Sequence, residues 1–418
     1  MAYQAPKGTR DVLPSESYRW QRLEAVIRET VKKYGFREAR TPVIEHTELF
    51  LRGVGDTTDI VQKEMYTFKD KGDRSITLKP EGTAGMVRLF VEHNLYNDAQ
   101  PTKLYYLNNP VFRYEKPQAG RLREHHQFGV EVFGAATPAQ DSECIALVIE
   151  ILEKLGLSGL QVRLNSIGCP NCRPKYHEAL KNYLGNRKAE LCETCRQRFD
   201  VNPLRILDCK VPSCGEIVHD APHIMDYICD DCRAHMDGLL RRLDRAGIRY
   251  SIVPTLVRGL DYYTKTVFEV FSDKIGAQGA ICGGGRYDGL VEQLGGPSCP
   301  GVGFGMGMER ILNLMDECGV TFPEPEPTEL YIAPMGDAAG VEAFALTQEI
   351  RTLGHSVETD TVGRSFKAQF KYADKTGARF ILAIGDNEIA AGSAKLKNLR
   401  TGEETVVTLK AADIASVL

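Results

Sequence analysis

Apolar residues along the first part of this chain recur at helical spacing. Trp20, Leu23, Val26, Ile27 and Val31 fall three or four apart between residues 16 and 34, and Gly35 ends the run. An amphipathic helix is expected there, then a turn and a strand over Gly35–Glu45. Pro42 cannot donate to a ladder, which puts that strand at an edge or an interface. The period then changes. Leu104 to Glu115 and Arg123 to Phe133 alternate as the strands of an antiparallel hairpin. Between them Lys116-Pro117-Gln118-Ala119-Gly120-Arg121-Leu122 is polar and turn-rich. Before the hairpin, a helix is expected after Pro80-Glu81-Gly82-Thr83, and after it a helix over Asp141–Leu155 closed by Gly156. Leu256–Tyr263 reads as a β-prone strand, and Thr266–Phe271 and Gly279–Cys282 continue the sheet. Gly301–Gly307 is a strand with glycine at every second position, and Met308–Cys318 is the helix after it.

Two segments break this pattern. From Cys169 to Arg245 the periodicity fades to helices at Lys175–Tyr183 and Cys232–Arg245 joined by irregular loops, which reads as an insertion domain (169–245). Phe322-Pro323-Glu324-Pro325-Glu326-Pro327 is a proline-rich linker. It separates a first domain (1–325) from a last one (328–418). There strands at Leu330–Pro334, Ser356–Glu358 and Phe380–Ile384 alternate with helices at Ala338–Leu353 and Arg364–Thr376. That order argues for a small α/β domain with parallel strands.

Composition changes this picture little. With 418 residues, 43% hydrophobic and 26% charged, the chain has ordinary globular usage. A net charge of -4 excludes a generally basic nucleic-acid coat but leaves room for a local basic patch. Neither Met1–Leu13 nor any later run has the apolar length of a signal peptide or a membrane span, so a cytoplasmic protein is expected. Cysteine usage matters more. Eight of the twelve cysteines lie in the insertion: Cys169-x-x-Cys172, Cys192-x-x-Cys195, Cys209 with Cys214, and Cys229-x-x-Cys232. Without an export signal a disulfide framework is not expected. The spacing suits one or two structural zinc sites, and reduced thiols in a variable segment remain the other reading.

The patterns also carry chemistry. Alternate residues of a strand share a face, so Arg113 goes with Glu115, and Arg123, His125, Gln127, Gly129 and Glu131 line one face while Phe128, Val130 and Val132 line the other. A row of charged and amide groups around a glycine is unusual for a merely solvated face. Glycines on one face of Gly301–Gly307 would let something flat approach, with Arg310 suited to a phosphate beside them. Arg258 on an apolar segment calls for an anionic partner, Asp261 being the nearest in sequence. In the last domain Arg364, Lys367, Lys371, Lys375 and Arg379 form a basic stripe, either a solvated face or an RNA contact.

Together these segments resemble the class II aminoacyl-tRNA synthetases. Gly35–Glu45 is similar to their first motif, a dimer-interface strand; Phe112-Arg113-Tyr114-Glu115 through Gln127-Phe128-Gly129-Val130-Glu131 to the second; and Gly301–Arg310 to the third. Leu256–Tyr263 and Gly283–Asp288 resemble two segments particular to the histidyl-tRNA synthetase family. The resemblance runs from Lys7-Gly8-Thr9-Arg10-Asp11 to the C-terminus. It implies an α+β catalytic domain built on an antiparallel sheet with a helical insertion, and a C-terminal α/β anticodon-binding domain. It implies ATP with Mg²⁺, L-histidine and tRNA(His) as partners and a homodimer. Arg113 and Arg258 would flank the α-phosphate as the catalytic pair and meet the histidine carboxylate. Glu115, Arg121 and Arg310 would complete the ATP site. Glu81, Thr83 and Gln127 would hold the α-amino group, and Glu131 and Tyr263, with Tyr262, the imidazole. The cysteine-rich insertion departs from many members of the family. Two rivals remain: a synthetase-like regulatory subunit of ATP phosphoribosyltransferase without ligase activity, and a zinc-dependent RNA-binding protein with a retired catalytic domain.

Overall fold

The hairpin expected from the alternating segments stands at the heart of the computed structural model, which describes residues 3–55, 58–117, 122–272 and 280–418. The chain divides into two units, residues 1–322 and 323–418. In the first unit the strands are, in order, β1 (Arg37–Glu38), β2 (Ile44–His46), β3 (Tyr66–Lys69), β4 (Ser75–Leu78), β5 (Thr102–Phe112), β6 (Glu124–Phe133), β7 (Leu160–Ser166), β8 (Tyr250–Ile252), β9 (Thr264–Ser272), β10 (Ala280–Arg286) and β11 (Gly301–Gly307). Eight of them form one sheet in the order β1-β5-β6-β11-β10-β9-β7-β8. From β5 to β7 every neighbour is antiparallel, and only β1 and β8 at the edges pair parallel. The strand expected over Gly35–Glu45 is split: β1 joins the large sheet and β2 the small one, and Pro42 lies in the link between them, where its missing donor costs no ladder bond. The remaining three strands make a small antiparallel sheet, β2-β4-β3.

The two faces of the large sheet are chemically different. Phe128, Val130 and Val132 of β6, Val302, Phe304 and Met306 of β11, and Phe268 and Val270 of β9 pack beneath it on the helices Pro14–Lys33, Pro138–Lys154 and Met308–Glu317. Each fully buried side chain of this kind contributes about 1.5–3 kcal/mol. The opposite face carries Gln127, Gly129 and Glu131, in register with Gly307, Gly305 and Gly303 of β11. Gly283 and Gly285 of β10 pair with Gly305 and Gly303 in turn.

Two further expectations need correction here. Leu256–Tyr263 is not a strand but an irregular loop between β8 and β9. Pro254 ends β8 just before it, Gly259 lies within it, and its polar groups find partners outside any ladder. The insertion also holds more helix than its faint periodicity suggested. Arg173–Gly185 and Asp230–Ala246 were expected; Glu193–Val201 and Pro212–His219 were not. Those two are short and carry few apolar residues, so burial at a few positions, among them Cys195, Cys214, Ile217 and Val218, holds them rather than a stripe.

The second unit is a five-stranded sheet of β12 (Leu330–Pro334), β13 (Val357–Thr359), β14 (Phe380–Ile384), β15 (Ser393–Asn398) and β16 (Glu404–Thr408), ordered β13-β12-β14-β15-β16. The first three are parallel, as expected, and the last two run antiparallel. Leu330 and Ile332 of β12 enter one apolar cluster and Tyr331 and Ala333 another, so this strand is buried on both faces.

Candidate active site

Glycine shapes the site. A Cβ on Gly283 would collide with the guanidinium of Arg258, and one on Gly285 with the Tyr263 ring. One on Gly303 would meet the Glu131 carboxylate, one on Gly301 the Tyr287 ring, and one on Gly129 or Gly82 the Tyr106 ring. Each glycine thus makes room for one polar or aromatic side chain laid over the sheet. Only Gly305 and Gly307 keep clear space, with the nearest atoms at 3.7 and 3.9 Å. Four residues separate Glu131 from Gln127 along β6, about 13 Å by strand rise. The floor is therefore crowded at its Glu131 end and open at its Gln127 end.

The crowded end is a buried polar pocket. Glu131 is 1% exposed. The Thr83 hydroxyl donates to its Oε1 at 2.8 Å, and the Tyr287 hydroxyl donates to its Oε2. Burial pushes the Glu131 carboxyl up to about 8, and the Tyr287 and Thr83 hydroxyls only partly offset this. Glu81, also buried, accepts the backbone N–H groups of Thr83 and Ala84, each at 2.7 Å. It satisfies two of the four orphan donors of the Thr83–Glu92 helix, and burial raises its carboxyl too. Tyr262 and Tyr263 close the pocket with ring centroids 4.7 Å apart, and Tyr262 meets Tyr287 edge-on at 5.6 Å. Beside this group Lys79 is buried against Thr41 and Asn109, and desolvation lowers its ammonium to about 8.

The arginines mark the way out of the pocket. Arg258, on the loop, forms an ion pair with Glu269 of β9, which stands opposite Gly283. The expected partner Asp261 instead accepts from Asn202 at 2.9 Å. The Arg258 Nε is buried without a hydrogen-bond partner among the described residues. Arg113 lies just past the end of β5 and donates from Nε to the Pro80 carbonyl at 2.8 Å. Glu115 follows, its backbone carbonyl accepting from Arg123, whose guanidinium lies 4.1 Å from the centre of the Tyr114 ring. Arg310 stands past the open end of the floor and donates to the Ala280 carbonyl. Arg121 lies outside the described residues.

Glu81, Thr83, Glu131, Tyr262 and Tyr263 come together in one pocket, with Arg113 and Arg258 at its rim and Gln127 and Arg310 at the far end. Tyr106, Tyr287 and Glu269 belong to the same constellation and were not singled out from sequence. Glu269 faces Gly283 across the β9–β10 ladder, a pairing that residue spacing alone does not reveal. Tyr106 sits in an apolar run, and the irregularity between Tyr106 and Asn109 hides its face.

Comparison with known proteins places this arrangement. Residues 8–203 and 211–311 match the family model described as histidyl-tRNA synthetase, and residues 329–418 one described as an anticodon binding domain. A synthetase catalytic unit joined to an anticodon-binding unit defines the class. The chain belongs to the histidyl-tRNA synthetase family. A histidine–tRNA ligase of Caldanaerobacter subterraneus subsp. tengcongensis is 56% identical over 98% of both chains. One of Clostridium botulinum is 54% identical over 99% of this chain and 98% of its own. Among solved structures, the apo histidyl-tRNA synthetase of S. aureus superposes with a TM-score of 0.84 at 39% identity, over 99% of each chain.

Proposed function

We propose that this protein activates L-histidine with ATP, releasing pyrophosphate, and transfers histidine from the adenylate to the 3′-terminal adenosine of tRNA(His). Family membership over nearly the whole chain supports the reaction, and one observation carries the site: Arg258 laid across Gly283 next to the Glu131–Tyr263 pocket. In this reading the pocket takes the imidazole, with Glu131 and Tyr263 reading its two nitrogens, and Glu81, Thr83 and Gln127 take the α-amino group. The histidine carboxylate attacks the α-phosphorus, the bond to the bridging oxygen of pyrophosphate breaks, and charge builds on the non-bridging oxygens. Arg113 and Arg258 flank those oxygens. Fixed guanidinium donors stabilise that charge without a proton transfer and contribute about 3–4 kcal/mol each by analogy with other preorganised donors. Glu115 and Arg121 hold the adenine end and Arg310 the γ-phosphate. Mg²⁺ bound with the nucleotide would neutralise part of the phosphate charge. The buried acceptors would be left unpaired by an apolar analogue, which gives discrimination at binding.

A homodimer fits this reading. Val43 and Ile44, within the first motif, and Phe68 of β3 in the same small sheet as Ile44 are exposed apolar residues. No helix among the described residues is long and apolar enough to cross a membrane, which is compatible with work in the cytoplasm. The regulatory-subunit reading is not favoured. Arg113, Arg258 and Arg310 are all present, and the anticodon-binding unit follows. Histidine-dependent ATP–pyrophosphate exchange followed by tRNA(His) charging is the test. Both activities are expected, and pure folded protein without exchange would refute the proposal.

A further inference from the structure

The eight cysteines of the insertion collect into two sets of four, Cys169, Cys172, Cys229 and Cys232, and Cys192, Cys195, Cys209 and Cys214, each with all sulfurs within 4.8 Å of one another. Within them Cys169 and Cys172 are 3.5 Å apart, Cys169 and Cys229 3.9 Å, Cys172 and Cys232 3.8 Å, and Cys192 and Cys209 3.8 Å. A tetrahedron of sulfurs around zinc at about 2.3 Å has edges of about 3.8 Å. No cysteine of the chain is in a disulfide. In each set a backbone N–H also donates to a sulfur, Cys229 N to Cys172 Sγ at 3.1 Å and Cys192 N to Cys214 Sγ at 3.2 Å.

Both sets are tied to the loop that carries Arg258. Arg173, next to Cys172, donates to the Tyr263 carbonyl. Asn202 and Arg205, between Cys195 and Cys209, donate at 2.9 Å to the Asp261 carboxylate and to the Arg258 carbonyl. Cys172, Cys195, Cys214 and Cys232 share one buried cluster with Tyr262, Tyr263 and Tyr287. The loop has no ladder bonds of its own; Asn165 holds its start through the Pro254 and Leu256 carbonyls and Val54 accepts from the Asp261 N–H, while the insertion supplies the bonds to the Arg258 and Tyr263 carbonyls.

We infer that each set of four cysteines binds one Zn²⁺, and that the pair of sites positions the Arg258–Tyr263 loop, one from each end. The metal assignment stands independently of the proposed reaction; the positioning role rests on it.

The test measures metal and rate separately. Protein purified under reducing conditions without chelator is expected to hold two zinc ions per chain by mass spectrometry. Cobalt(II) substitution should give the intense visible bands of tetrahedral thiolate coordination. Cys209→Ser should drop the count to one and lower kcat for histidine-dependent pyrophosphate exchange by on the order of tenfold to a hundredfold, as a displaced catalytic group does. Because Cys209→Ser could unfold the insertion, Arg205→Ala is the second variant. It should keep both ions and lower kcat more than it raises KM for histidine. Fewer than two zinc ions per chain, an iron chromophore, or disulfides in place of free thiolates would overturn the metal sites. Unchanged kcat in a folded Cys209→Ser protein lacking one ion, or in Arg205→Ala, would overturn the positioning role while leaving the metal count standing. No exchange in the unmodified protein would overturn it too, since the role rests on that reaction.

Discussion

Two arginines stand on opposite faces of β10 and meet opposite fates. Arg286, at its end, points beneath the sheet and is fully buried. It pairs with Asp141 and Asp288 and donates to the carbonyls of Ala135 and Thr137 at 2.8 and 3.2 Å. Asp141 in turn accepts from His235 and Thr266, each at 2.7 Å, which ties the Asp230–Ala246 helix of the insertion to the core. Its neighbouring cations hold the Asp141 carboxyl below the usual range even though burial pushes it up. Arg258 lies over the other face, a quarter exposed, with one carboxylate partner and one buried nitrogen left over. A charge whose donors are all satisfied by protein is structural. A charge held on one side only keeps capacity for an incoming anion.

The comparison breaks most visibly at Asp141. Asp141→Asn leaves Arg286 buried with half its compensation, and urea unfolding should show a loss of about 3–5 kcal/mol. A loss under 1 kcal/mol would mean the network is solvated. Arg258→Ala should do the reverse. Exchange rate falls by about a hundredfold or more, roughly 3 kcal/mol of barrier, while calorimetry finds histidine binding largely intact. A near-normal rate would make Arg258 as structural as Arg286. The floor gives a smaller contrast. Gly285→Ala sets a methyl group against the Tyr263 ring and the Thr266 carbonyl and should cost about 1–3 kcal/mol of stability, with weaker histidine binding. Gly307→Ala, whose new methyl meets nothing closer than 3.9 Å, should be tolerated in the ligand-free protein. The mildest effect is a slope. Burial raises the Glu131 carboxyl from 4.5 to about 8, so the native state holds that proton more tightly than the unfolded chain. Its contribution to stability is full below the ordinary value and fades as pH rises through about 8. The melting temperature should therefore fall more steeply over that window than in Glu131→Gln. If Glu131 must be ionised to accept from the imidazole, kcat/KM for histidine should climb over the same range. Parallel melting curves would place Glu131 outside the titrating group.

Sequence pattern revealed most where a single period governed an element. β12 and β14 match the expected Leu330–Pro334 and Phe380–Ile384, because apolar runs bounded by turn residues admit one reading. The split faces of β6 were legible for the same reason. The Arg258 segment misled because β-prone composition says nothing of ladder partners, and its partners came from an insertion with little periodicity. The two unexpected helices sit between cysteines, where a few buried positions replace a stripe. Glu269 looked like any outward polar residue of an alternating strand, and only its register opposite Gly283 gives it meaning. In the basic stripe Lys367, Lys371 and Lys375 are exposed along the Phe366–Lys375 helix, while Arg364 is spent on Asp360 at 2.8 Å, a distinction no spacing rule could make.

The nesting of the two cysteine sets bears on how the chain assembles. The set from Cys192 to Cys214 lies wholly inside the span from Cys169 to Cys232. Closing a loop costs chain entropy that grows with the logarithm of its length, about 0.6 kcal/mol per doubling. If the inner set closes first, it shortens the loop that the outer set must close. Closing the outer set first would save the inner set the same amount, so the total does not depend on order; the inner set is favoured because, as the first step, it closes the shorter loop at the smaller entropic cost. On a chain made from its N-terminus the inner set is also complete before the outer one. Loop entropy and synthesis order therefore favour the same history, inner knot before outer, with the loop bearing Arg258 the last to be tied down.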